Sequence, residues 1–123
     1  MKLITLEDYN NKFCNGYEEK YEDIPSFIPT STIDPILRAI CRFSQGTGSI
    51  FEIGTWIGRS ALGFSQNYDK VITIDSILDS DVPYSYRGMR AGELILEKDN
   101  VELIKINSKD FNFSEHEKEF DAV

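Results

Sequence analysis

The chain has 123 residues, of which 41% are hydrophobic and 12% aromatic, so it can build one core but not two ordinary domains. Twenty-one acidic against thirteen basic residues leave a net charge of −8, which argues against nucleic acid or an anionic membrane as the main partner. The opening "MKLITLEDYNNKF" has acids and amides where a secretory signal needs an apolar run, so a cytoplasmic chain with Cys14 and Cys41 as reduced thiols is expected. One histidine, His116, and no paired cysteine motif make a metal site unexpected.

Residues 1–30 read as an irregular or partly helical lead-in, ending in "IPSFIPT", where Pro25 and Pro29 favour extended neighbours. The domain proper is expected over 31–123. Asp34 fits a helix N-cap with Pro35 at the first helical position, and Ile36, Leu37, Ile40, Cys41 and Phe43 recur at helical spacing before Gly46 stops the helix. "SIFEIG" is a short apolar run and predicts a buried strand. A helix over "RSALGFSQNYD" and a second strand over "KVITID" follow. Next come a loop, a predicted helix over 87–100 ("RGMRAGELILEKDN"), a third strand in "VELIKIN" and a connection over 108–120. "FDAV" reads as the opening of a fourth strand. Alternating short strands and helices predict an α/β fold with a parallel sheet.

The turn after the first strand carries the chemistry. In open parallel sheets ligands bind beyond the carboxyl ends of the strands. Gly54 and Gly58 lie in that turn, where glycine tolerates unusual φ and leaves the backbone approachable. The helix starting near Gly58 offers N–H groups to an anionic moiety. Asp75 ends the second strand 23 residues after Glu52, where a carboxylate can accept hydrogen bonds from ribose hydroxyls. A P-loop is excluded because G-x-x-x-x-G-K-[ST] is absent. The dinucleotide pattern G-x-G-x-x-G is replaced by G-x-x-x-G, with Trp56 in place of the second glycine. Glu52 would repel a pyrophosphate and attract a cationic ligand.

"FEIGTWIGRSALGF" followed by "KVITID" resembles motif I and the second-strand acid of class I S-adenosylmethionine-dependent methyltransferases. It is most similar to their small-molecule O-methyltransferase-like branch, where E-I-G-x-x-x-G-x-S is typical. The resemblance is specific over Phe51 to Asp75 and extends in order and spacing over 33–123. It implies a Rossmann-like sheet with flanking helices, here reaching only the fourth strand, and S-adenosyl-L-methionine as cofactor. It also implies Glu52 near the methionine ammonium, often through water, and Gly54, Thr55 and Gly58 as a backbone wall. Ser60 is implied near the methionine carboxylate, Asp75 on the ribose with Ser76 beside it, and Asp110 facing the adenine amino group.

Plainer roles stand beside these. Glu52 fits a strand-end acid paired with a cation, Asp75 a helix cap, and Asp110 a solvated loop carboxylate. Trp56 fits core packing or the pocket wall. Arg59, Tyr84, Tyr86, Arg87 and Arg90 fit a solvated face, Met89 packing, and His116 the surface. In the family, acceptor-activating residues come largely from the fourth strand's tip onward, so no catalytic residue is assigned. The implied activity is methylation of a small hydroxylated molecule. A non-catalytic remnant that pairs with another chain, or a fragment of an NAD-type dehydrogenase, are the alternatives. Right-handed crossovers in a 3-2-1 strand order put the connecting helices on one sheet face. The strands are nonetheless apolar on both sides, so an open face covered by a second copy or a partner chain is expected.

Overall fold

In the computed structural model the described residues are 5–9, 11–12, 17–21, 34–76, 88–116, 119–121 and 123. Three strands, β1 (Ser49–Ile53), β2 (Lys70–Asp75) and β3 (Val101–Lys105), form one parallel sheet in the order β1-β2-β3. The register pairs Ile53 with Ile74 and Asp75 with Lys105. The ladder runs on past the strand ends, since Gly54 N–H donates to the Ile74 carbonyl (2.8 Å) and Ile106 N–H to that of Asp75 (3.1 Å). Gly54, Asp75 and Ile106 therefore stand at one level at the carboxyl edge. This is an α/β architecture consistent with a Rossmann-like unit.

The helices are α1 (Leu6–Tyr9), α2 (Asp34–Ser44) and α3 (Arg59–Ser65). Leu37 and Cys41, one turn apart on α2, and Ala61, Leu62 and Phe64 of α3 pack on Ile50 and Val71. Ile95, between β2 and β3, joins the same cluster. The described part of each connection thus packs on one face, as the strand order requires. The lead-in adds to this side, with Asn67 accepting from Tyr17 Oη (2.6 Å) and Lys20 N–H (2.7 Å). Among the described residues no helix is long and apolar enough to cross a membrane.

Three expectations are corrected. The helix foreseen over 87–100 is reduced, among its described residues, to a 3-10 turn at Glu93–Ile95. Gly92 N–H donates to the Trp56 carbonyl (2.6 Å) and Leu94 N–H to that of Ile57 (3.1 Å), so these donors are spent on the neighbouring turn. The fourth strand is not formed by the described residues 120, 121 and 123. What exists is one pairing, Asp121 N–H to the Ser49 carbonyl at 2.8 Å, backed by Ser49 N–H to Asp121 Oδ2 at 2.9 Å. Nor is the second sheet face wholly open. Phe51, Ile72 and Ile74 are buried there beneath Ile104, Ile106, Phe111 and Phe120. The Phe51 ring meets those of Phe111 (4.8 Å), Phe113 (5.3 Å) and Phe120 (5.0 Å). The connection after β3 carries enough aromatic surface to fold back over the strands.

Candidate functional site

At the carboxyl edge, Ile53, Gly54, Ile74, Asp75, Ser76, Ile106, Asn107 and Ser108 line a cleft of about 170 Å³. Whole small-molecule sites usually measure about 300–1,000 Å³, so these walls supply part of a site. A larger cleft of about 390 Å³ lies among Asp69, Lys70, Asp99, Asn100, Val101 and Glu102, toward the opposite edge. It sits at the strand starts, whereas open parallel sheets bind ligands at the strand ends. The smaller cleft is therefore the candidate.

The two glycines of the turn differ in what they permit. Gly54 has φ +93°, and a Cβ built there meets no atom within 4 Å, so its backbone opens onto free space. Gly58 has φ +89°, but a Cβ there comes within 2.8 Å of Ile95 Cγ1. Its smallness serves core packing against Ile95, and it is not part of the cleft lining. Thr55 is buried, and its N–H donates to Asp75 Oδ2 (3.0 Å), as does that of Trp56 (3.3 Å). Asp75 thus braces the turn as well as lining the cleft. Ser76, exposed, forms part of the rim.

Glu52 is turned inward. Ser60 Oγ donates to its Oε1, and Thr73 Oγ1 donates to its Oε2 at 2.7 Å. The Thr73 and Thr55 hydroxyls are 2.7 Å apart. With the proton of Thr73 committed to Glu52, Thr55 is the donor in that pair. Burial pushes the Glu52 carboxyl above its ordinary pKa, the two hydroxyl donors oppose the rise, and the negative charge of Asp75 adds to it. Glu52 and Ser60 are therefore partners of each other beneath the turn and do not line the cleft. Asp110 is exposed on a 3-10 turn (Ser108–Asp110) and is not in the lining either, the post-β3 wall being Ile106, Asn107 and Ser108.

Arg59, expected on a solvated face, is buried to 8% exposure. His116 is not simply on the surface, since its ring stacks on Phe111 at 5.0 Å and its Nδ1 lies 2.6 Å from Glu119. Arg90 is exposed as expected, while Cys14, Tyr84, Tyr86 and Arg87 lie outside the described residues. Cys41 is a free thiol whose pKa burial, with Glu19 nearby, pushes up to about 12. Among the described residues no group of three or more His, Cys, Asp or Glu could hold a metal ion. Thr73, Asn107 and Ser108 escaped the sequence reading. Thr73 had a signal, being the one polar residue amid the apolar run of "VITI".

No protein-family model matches the chain, and comparison with the curated proteins finds no significant match.

Proposed function

We propose that this chain binds S-adenosyl-L-methionine and serves methyl transfer to a small hydroxylated acceptor. The carrying observation is the cleft at the carboxyl edge of a parallel sheet, where open backbone at Gly54 faces the carboxylate end of β2 at Asp75 and Ser76. A ligand with a ribose finds acceptors at Asp75, and its flat base finds apolar walls at Ile53, Ile74 and Ile106. Two features favour a cationic ligand over a dinucleotide. Trp56 stands where a pyrophosphate needs glycine, and the carboxylate of Asp75 lines the cleft. When bound, S-adenosylmethionine would supply the activated methyl carbon. The residues of this chain bind and orient it, a contribution that rests on positioning.

Calorimetric titration with S-adenosylhomocysteine and, separately, with NAD tests the reading. Binding of the first but not the second is expected. Preference for NAD, or no uptake of either, would sink it. Gly54→Ala serves as the site variant, because its Cβ meets no protein atom yet points into open space beside the cleft. It is expected to weaken S-adenosylhomocysteine binding while the chain still folds.

A further inference from the structure

The carboxylate of Glu52 reaches both ends of the turn from Gly54 to Gly58 without lining the cleft. One oxygen takes the hydroxyl of Ser60, in the first turn of α3. The other takes the hydroxyl of Thr73 on β2, which in turn takes that of Thr55, the second residue of the turn. Thr55 and Thr73 are at most 1% exposed, so water cannot stand in for either bond. Between these anchors sits Trp56, a non-glycine residue at φ +48°, a conformation that costs free energy unless its surroundings hold it. Its N–H is held by Asp75 and its carbonyl by Gly92.

We propose that Glu52 is a positioning residue that sets the shape of the ligand-facing turn from beneath, through Ser60 and the Thr73–Thr55 relay, and does not itself contact the ligand. Its functional weight rests on the reading of the cleft given above, but its test needs no ligand. The direction of the relay matters. A carboxylate accepts from both hydroxyls, so the protons of Ser60 and Thr73 point to it and that of Thr55 points to Thr73. An amide at position 52 presents one acceptor and one donor, so one hydroxyl must reverse or let go. Either response loosens one end of the turn.

Trp56 is the single tryptophan of the chain and is 41% exposed, so intrinsic fluorescence reports on the turn itself. The experiment compares emission and acrylamide quenching of the ligand-free wild type with Glu52→Gln, Thr73→Val and the double variant, each beside a urea unfolding curve. Glu102→Gln, altering an exposed pair with Lys70 (3.4 Å), is the control. Expected are a red shift and stronger quenching in both single variants under native conditions. The double variant should go no further than the larger single effect, because both changes cut one relay. Unchanged Trp56 emission in a folded Glu52→Gln overturns the proposal, whether that variant has lost only stability or only affinity for S-adenosylhomocysteine. Where Glu52→Gln does not fold, Thr73→Val decides alone, and an unaltered Trp56 signal overturns the relay. A wild type that takes up no S-adenosylhomocysteine counts against the functional reading and leaves the Trp56 comparison intact.

Discussion

Gly54 and Gly58 look equivalent in the pattern G-x-x-x-G, yet they carry different loads. Both lie at positive φ, where a side chain costs about 1–2 kcal/mol. Only Gly58 also faces a neighbour, Ile95, and crowding a packed site costs about 1–3 kcal/mol more. Gly58→Ala is therefore expected to lower unfolding free energy by about 2–5 kcal/mol and Gly54→Ala by only about 1–2 kcal/mol. Urea curves on the two variants check this, and equal losses would mean that Ile95 moves aside at no cost. Two partly buried acids make opposite predictions for pH. For Glu19, burial raises the pKa, but hydrogen bonds from Arg42 and its own backbone, with the charges of Arg42 and Arg38, carry it below the ordinary 4.5. Its stabilisation is present above 4.5 and fades as pH falls through the lower folded value. Glu52, raised by burial, contributes below 4.5, and that contribution is lost as pH rises through its higher folded value. Glu19→Gln should thus weaken the chain at neutral pH and flatten its acid limb. Glu52→Gln should remove the decline above 4.5. Urea midpoints followed from acid to neutral pH separate the two, and identical profiles would refute the assignment.

At the scale of elements, Asn67 just beyond α3 secures the lead-in segment. Its Oδ1 accepts from Tyr17 and Lys20, and its Nδ2 donates to the carbonyls of Lys20 (2.6 Å) and Gly63 (2.9 Å). Each such bond is worth about 0.5–1.5 kcal/mol where water is partly excluded. Asn67→Ala is expected to cost about 1–3 kcal/mol in total and to speed exchange of the Lys20 amide beyond that of the β2 amides. Uniform exchange across both would show that the lead-in does not open by itself. This fastening was invisible in the sequence, because one asparagine after a helix resembles any other turn residue. The strands were legible for a physical reason: β-branched runs such as "KVITID" suit a sheet buried on both faces, and β1, β2 and β3 lie where those runs stand. Leu37 and Cys41 were legible by their helical spacing. The segment over 87–100 was not, since its apolar residues fit a helix while its amides bond to Trp56 and Ile57, a tertiary choice that no local pattern carries. At the site, the glycine turn and Asp75 were legible. The inward turn of Glu52 depends on hydroxyls 8 and 21 residues away and was not.

Over the whole molecule, the two faces of the sheet are closed by unlike means. Helices and the Ile95 turn cover one, and a returning aromatic segment covers the other. Phe111 is the hub of that second cover, in ring contact with Phe51 (4.8 Å), Phe113 (4.9 Å) and His116 (5.0 Å). Phe113 touches the same cluster but is 43% exposed, so its removal uncovers little that is not already wet. Full burial of a phenylalanine is worth about 3–5 kcal/mol on truncation to alanine, and half-buried Phe111 should fall at about 2–4 kcal/mol. Its loss also exposes Phe51, Ile72 and Ile74, three side chains at or below 3% exposure, to solvent at once. Phe111→Ala is therefore expected to lower the urea midpoint, to bind a hydrophobic dye more strongly than the wild type, and to promote self-association seen by light scattering. Phe113→Ala should shift each of these far less. Equal behaviour of the two variants would mean that the aromatic return does not seal the second face, and that a second copy or a partner chain must cover it instead.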